Sequence, residues 1–135
     1  MDSFNGRIVS GRGEAAFFTG LDWVVEQCRA KLGFAPAPGT LNLLVEKTAG
    51  ERLANCRNGY ELSSPDPAFC SARVLPATVE GLPAAVIVPE EKVRVHDTAI
   101  IEILAPVNLR QALKRQENDP VTVSLTACED NPRPV

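Results

Sequence analysis

The sequence predicts a mainly β protein that closes into one small barrel. Three observations predict this class: short apolar runs alternate with polar residues, glycine and proline separate the runs, and only one long segment has helical spacing. The strand candidates are residues 6–10, 41–46, 69–79, 84–88, 99–104 and 121–126, with a further short apolar run at 15–18. At 135 residues the chain has room for one core. We expect a barrel domain over residues 1–126 and a disordered tail over 127–135.

The helical segment follows the first strand and the glycine-rich turn after it. Its apolar positions recur at helical spacing, with Thr19 as the expected cap and Gly33 as the expected left-handed end. These apolar positions are Leu21, Val24, Val25, Cys28 and Leu32. Residues 34–38 then form an extended link, since proline disfavours helix at its neighbour. Residues 47–67 read as a loop with a short helix around 51–55, and residues 108–114 as a helical turn.

Composition and cysteine spacing exclude several classes of function. A net charge of −3 and a pI near 5.2 leave no basic stripe, so we expect no nucleic-acid partner. The chain has no run of roughly 20 apolar residues and no signal-peptide pattern, which predicts a cytoplasmic protein without a membrane partner. Its four cysteines include no CxxC pair and its histidine is single. Reduced thiols, some buried, are therefore expected rather than a zinc site.

The run PGTLN, residues 38–42, joins a turn to a strand. Side chains two apart on a strand share a face, so Thr40 and Asn42 present two oxygens to one hard cation while Leu41 and Leu43 face the core. The alternative is a plain turn before a half-buried strand.

The glycine-rich stretch 11–17 satisfies the dinucleotide pattern G-x-G-x-x-A. A Rossmann unit needs a helix that starts within the glycine turn, but here the helix begins near Leu21, and the chain contains no P-loop motif. The stretch reads better as a phosphate or nucleotide loop in which Arg12 adds positive charge. A tight turn between two strands is the alternative.

Glu102 lies in the middle of the apolar run 100–104. Burial there would raise the pKa of its carboxyl and make it an acceptor for a hydroxyl proton. The alternative is an outward-facing residue of an alternating strand, and Asp97 and Glu91 are less supported choices for the same role.

Three blocks together resemble the archaeal-type CTP-dependent riboflavin kinases. They are GRIVSGRGEAAFF at 6–18, LGFAPAPGTLNL at 32–43 and IIEILAPVNLRQAL at 100–113, and the likeness spans most of residues 6–125. The resemblance implies a six-stranded cradle-loop (RIFT-like) barrel with one or two short helices. It also implies an enzyme that transfers the γ-phosphate of CTP to riboflavin with Mg²⁺, giving CDP and FMN.

The resemblance also implies roles for individual residues. Mg²⁺ would be held by Thr40 and Asn42, and Glu102 would orient riboflavin and serve as the candidate catalytic base. Arg94 stands where the family has a flavin-contacting threonine, so it would either hold a phosphate or obstruct the flavin. The nucleotide would contact Arg12, Gly13, Glu14, Ala15, Ala16, Phe17, Val107, Asn108, Leu109 and Arg110.

Two departures from the family pattern support a second hypothesis. Ala15 replaces a glycine that the family usually has, and Arg94 replaces the threonine. A non-catalytic flavin- or nucleotide-binding module on the same barrel is therefore the alternative to the kinase. A kinase with another acceptor is a third possibility.

Overall fold

The computed structural model describes residues 3–10, 18–56, 59–65, 72–88 and 98–126. The expected tail at 127–135 lies outside these residues. The strands are β1 Ser3–Val9, β2 Leu41–Glu46, β3 Tyr60–Leu62, β4 Ala72–Val79, β5 Leu82–Ile87, β6 Thr98–Leu104 and β7 Pro120–Leu125. The helices with bounds inside the described residues are α1 Asp22–Leu32, α2 Lys47–Asn55 and α3 Leu109–Leu113.

The strands form an antiparallel ring of six with one short strand added. Neighbours follow the order β4-β5-β6-β2-β1-β7, and β7 returns to pair with β4. One part of β4 pairs with β3, while its C-terminal part pairs with β7 from Ala77↔Leu125 to Val79↔Val123. The predicted mainly β barrel is confirmed. The strand β3 was not predicted, because residues 47–67 read as a loop with a helix.

One apolar cluster fills the barrel, and strand alternation explains its membership. On β2 every second residue is buried, while Asn42 and Leu44 between them are only half-buried on the outer face. Leu53 of α2 and Leu109 of α3 join the same cluster. The inward-facing strand residues include Ile8, Leu41, Leu43, Val45, Leu75, Val86, Ile101, Ile103, Val121 and Val123.

The helix α1 covers a second cluster on the outside of the barrel. Val24 and Cys28 are buried there against residues that include Leu62 and Leu104. Gly33 ends the helix in the predicted left-handed conformation, with φ 83° and its N–H bonded to the Cys28 carbonyl at 3.0 Å. The expected Thr19 cap is wrong, since the N-cap residue is Leu21 and no side chain caps it.

Long side chains of α1 cover the backbone next to β3. Gln27 donates from Nε2 to the Ser63 carbonyl at 2.8 Å and accepts from the Ser63 N–H at 2.7 Å. Lys31 donates to the Glu61 carbonyl. Backbone groups beside this short strand are thereby satisfied by side chains rather than by another strand.

One of the two described cysteines differs from the expectation of reduced thiols. Cys28 is a free, buried thiol, and its burial raises its pKa. Cys56 is disulfide-bonded, with its partner outside the described residues, so the expectation is wrong for Cys56. In the described part of the chain, no helix is both long and apolar enough to cross a membrane.

Adjacent leucines on β2 test the assignment of its two faces. Leu43 is fully buried in the barrel, so Leu43→Ala should lower the free energy of unfolding by about 2–5 kcal/mol. Leu44 lies on the outer face and is half-buried, so Leu44→Ala should cost about 1 kcal/mol or less. Urea unfolding followed by circular dichroism measures both values, and equal losses would contradict the assigned faces.

Candidate active site

The pairing of β2 with β6 places two polar side chains together on the outer face of the barrel. Asn42 is the register partner of Glu102, and the inward-facing pairs Leu41↔Ile103 and Leu43↔Ile101 flank them. Directly opposed residues of an antiparallel pair have Cβ atoms roughly 5 Å apart. The ladder therefore brings together two candidate site residues that lie far apart in sequence.

Thr40, immediately before β2, completes a group of three oxygen-bearing side chains. Its Oγ1 lies 3.3 Å from Asn42 Oδ1 and 3.2 Å from Glu102 Oε1, and its single proton can be donated to either oxygen. The predicted proximity of Thr40 and Asn42 is observed, and Glu102 joins them. A hydroxyl, a carboxamide and a carboxylate are hard oxygen ligands of the kind that Mg²⁺ prefers.

The small number of these ligands indicates what kind of metal binding they suit. In the described ranges, no group of three or more His, Cys, Asp or Glu side chains is placed to hold a metal. Mg²⁺ usually keeps several waters and binds through one or two protein oxygens together with substrate phosphates. The three oxygens fit such a metal–nucleotide complex better than a metal cage made only of protein.

Glu102 is exposed, so the expectation of a buried carboxylate is wrong. Ile101 and Ile103 on either side are each 1% exposed, and the alternation of β6 turns Glu102 outward between them. The outward-facing alternative is the one observed. The carboxylate is open to an incoming hydroxyl, and its neighbour Thr40 is a hydroxyl donor rather than an apolar wall.

A cavity of about 250 Å³ joins the PGTLN turn to the segment around α3. Thr40 lines this cavity and also contacts Asn42 and Glu102, so the cavity and the oxygen group are contiguous. Two blocks that lie far apart in sequence form its walls. The lining residues are Pro38, Gly39, Thr40, Leu41, Ile103, Ala105, Val107, Asn108, Leu109 and Arg110.

The four residues 107–110 contribute to the cavity in different ways. Leu109 is 4% exposed and anchors α3 in the barrel core, whereas Val107 is 45% exposed. Asn108 is the N-cap of α3, and its Oδ1 accepts from the Gln111 N–H at 3.1 Å. Arg110 is partly exposed. Its guanidinium is the cationic hydrogen-bond donor among the side chains that line the cavity.

Glu117 connects Arg110 to the end of β1, and the sequence analysis missed it. Its Oε1 lies 3.5 Å from Arg110 Nη2 and also accepts a hydrogen bond from the Ser10 hydroxyl. Backbone bonds hold the same turn against β1, from the Ile8 N–H to the Asp119 carbonyl at 3.0 Å and from the Asn118 N–H to the Ile8 carbonyl at 2.8 Å. No local pattern marks Glu117, because its partners come from other parts of the chain.

Some of the predicted site residues lie outside the described residues. They are Arg12, Gly13, Glu14, Ala15, Ala16, Phe17 and Arg94, together with the weaker candidates Glu91 and Asp97. Their assigned roles stay predictions. Ser10 and Phe18, which flank the glycine-rich stretch, are described.

Known proteins with similar sequences cover most of this chain. The protein-family model CTP-dep_RFKase, described as a domain of unknown function (DUF120), matches residues 8–125 of this chain. The chain is similar to the riboflavin kinase of Ignicoccus hospitalis, with 35% identity over 128 residues that cover 90% of this chain and 69% of that protein. The riboflavin kinase of Saccharolobus solfataricus is 32% identical, with 89% and 71% covered. That of Pyrobaculum aerophilum is 33% identical, with 89% and 59% covered, so the chain spans less than two thirds of this relative.

The cap of α3 provides a test of how the cavity wall is held. Asn108→Ala removes the acceptor for the Gln111 N–H and should lower the free energy of unfolding by about 1 kcal/mol. Asn108→Asp keeps an acceptor and should stay close to the parent protein. Gln111→Ala is the control, since only its backbone N–H makes this bond. Thermal unfolding measures all three variants, and an unchanged Asn108→Ala would contradict the capping role.

Proposed function

The chain belongs to the CTP-dependent riboflavin kinase family, and from this premise we propose that it transfers the γ-phosphate of CTP to riboflavin, giving CDP and FMN. One observation carries the proposal: three oxygens, from Thr40, Asn42 and Glu102, lie together beside a cavity lined by Arg110. Phosphoryl transfer depends on positioning and on charge neutralisation more than on covalent chemistry by the protein. This site offers oxygen-bearing side chains that can position reactants and a cationic side chain that can offset negative charge.

Thr40 and Asn42 are the residues proposed to hold Mg²⁺, through Oγ1 and Oδ1. Mg²⁺ held by these two oxygens would supply positive charge to offset the charge that develops on the phosphates during transfer. Asn42 is held by the β2–β6 ladder, and Thr40 by the turn before it. Thr40 and Asn42 are thus supported by different parts of the chain, and together they would hold the ion next to the cavity.

Glu102 is proposed to orient the acceptor hydroxyl of riboflavin. Its carboxylate is exposed on the outer face and lies close to the Thr40 oxygen, so a hydroxyl bound there would be next to the proposed metal ligands. A carboxylate that accepts the hydroxyl hydrogen bond holds the nucleophile in line and takes its proton as the new bond forms. Arg94 remains a proposed contact on the flavin side.

The cavity between residues 38–41 and 107–110 is proposed to bind part of the nucleotide. Its volume of about 250 Å³ lies below the range of roughly 300–1,000 Å³ that is typical of whole-ligand pockets. Arg110 and backbone groups of its wall are suited to the acceptor oxygens of a cytosine ring and its ribose. The phosphates are assigned to residues 12–17, which carry the glycine-rich pattern.

A non-catalytic binding module is the second candidate, and the exposure of Glu102 favours it. The Glu102 carboxylate is not shielded from solvent as a desolvated base would be. In addition, Ala15 and Arg94 depart from the family pattern. Such a module would bind CDP or FMN on the same surfaces without turnover. Fold alone does not distinguish the two candidates.

The deciding experiment incubates the purified chain with riboflavin, Mg²⁺ and either CTP or ATP. Chromatography then detects FMN and the nucleoside diphosphate. FMN formed with CTP and not with ATP supports both the activity and the donor. A folded protein that binds FMN or CDP in a spectral titration but forms no FMN with any donor would favour the binding module.

Asn42→Ala tests the proposed metal ligand. Loss of one ligand in a phosphoryl transfer should lower turnover on the order of a thousandfold, since several kcal/mol of barrier lowering is lost. Leu44→Ala changes the next residue on the same outer face and should keep most of the activity. Both variants are first checked for an unchanged circular dichroism spectrum. An Asn42→Ala protein with parental turnover would remove the metal assignment.

Glu117→Gln tests the link between Arg110 and the nucleotide. The partly exposed ion pair is worth roughly 0.2–1 kcal/mol, so the KM for CTP should rise by up to about fivefold while kcat changes less. Glu80→Gln is the matched control, because it weakens a similar ion pair with Arg115, at 3.6 Å, whose residues do not line the cavity. Steady-state kinetics with varied CTP would contradict the link if the two variants behave alike.

A further inference from the structure

Thr19 stands out among the described residues as a buried polar side chain. It is 2% exposed, and within the described ranges it is the one polar or charged residue in the buried class. A hydroxyl removed from water is costly unless it is hydrogen-bonded. The position of its partner therefore indicates what this hydroxyl does in the fold.

One partner of Thr19 lies in the turn that precedes the oxygen group. Thr19 Oγ1 accepts a hydrogen bond from the Gly39 N–H at 3.0 Å. Gly39 has φ 87°, a conformation that side-chain-bearing residues rarely adopt, and Pro38 before it restricts the turn further. On the other side of the turn, the Ala37 N–H donates to the Ala105 carbonyl at 2.8 Å. Two hydrogen bonds thus hold the turn to two different elements.

Thr40 depends on this turn in a way that Asn42 does not. The β2–β6 ladder begins at Leu41↔Ile103, so Asn42 and Glu102 are placed by strand pairing. Thr40 comes before the first paired residue and follows Gly39 directly. Its oxygen reaches the other two only if the turn keeps its shape.

We propose that Thr19 is a positioning residue that places Thr40 in the site by fixing the Gly39 amide. The proposal rests on the proposed function for its kinetic readout but not for its structural one. The described contact of Thr19 with the site runs through the Gly39 amide to the neighbouring Thr40, which contacts Asn42. Removing the hydroxyl should loosen the turn and weaken the Mg²⁺ contact of Thr40 alone.

Thr19→Val and Thr19→Ser form the matched pair of variants. Valine has nearly the shape of threonine and lacks the acceptor, whereas serine keeps the hydroxyl and loses a methyl group. In Thr19→Val, the Gly39 amide should exchange with solvent at least about tenfold faster, as expected for a lost hydrogen bond. In Thr19→Ser the exchange should stay within about twofold of the parent protein. Hydrogen exchange followed by NMR measures this without substrate.

The kinetic arm measures the Mg²⁺ concentration that gives half-maximal rate. It should rise about tenfold in Thr19→Val and stay near the parental value in Thr19→Ser, a difference that one lost hydrogen bond accounts for. In a Thr40→Ala background, the same Thr19→Val change should have little further effect, because both substitutions act on one contact. Equal effects in the two backgrounds would overturn the proposal.

The two arms separate failure of this proposal from failure of the proposed function. If the parent protein forms no FMN, the activity is wrong, and titration of Mg²⁺ with CDP by NMR replaces the kinetic arm. If Thr19→Val does not fold, Gly39 exchange in the parent protein still decides. A Gly39 amide that exchanges as fast as a free amide in the folded parent would overturn the proposal, and slow exchange supports it.

Discussion

The antiparallel pairing of β2 with β6 is the constraint on which the rest of the site depends. Its register places Asn42 opposite Glu102 on the outer face and Leu41, Leu43 and their partners inside the barrel. A slip of one residue would turn the polar pair into the core and the leucines into solvent. Burying an amide and a carboxylate without partners costs several kcal/mol, so the hydrophobic core enforces the register that the site needs. The pairing of β2 with β6 therefore determines both which residues fill the core and which form the candidate site.

Closure of the ring adds the remaining walls of the site. Because β7 pairs with both β1 and β4, the chain between β6 and β7 must return across one end of the barrel. Helix α3 lies in that return, with Leu109 buried in the core, and the turn at residues 116–119 then docks against β1. Arg110 and Glu117 are therefore positioned by a rigid closed sheet, although each is partly exposed.

The oxygen group has two kinds of support. Strand pairing holds Asn42 and Glu102, whereas Thr40 lies outside the ladder and depends on the glycine turn. Groups that act in phosphoryl transfer do so mainly through their placement, so under the proposed function a small loss of order in this turn would have a large effect on rate. Because Glu102 is exposed, its role in the proposed transfer would be to orient a substrate hydroxyl rather than to act as a desolvated base.

The sequence alone was sufficient wherever the cause is local. Period-two alternation predicted β2 and the faces of its residues, helical spacing with Gly33 predicted α1 and its end, and residues 108–114 were predicted as a helical turn where α3 lies. The proximity of Thr40 and Asn42 was predicted from the same alternation, but Thr40 lies before the strand and is placed by the turn. Two of the three family blocks, 32–43 and 100–113, contain the residues that line the cavity, although the sequence did not predict a cavity there.

Only the tertiary structure decided the features that depend on distant partners. The short strand β3 forms because β4 and α1 hold it, and its own residues carry no strong pattern. Glu102 faces outward because its buried neighbours set the alternation of β6, and the single apolar run in the sequence left both directions open. Thr19 and Glu117 make hydrogen bonds with residues of other segments. Cys56 forms a disulfide whose partner lies outside the described residues. Local spacing reports the conformation of a segment, whereas closure of the barrel determines which segments meet.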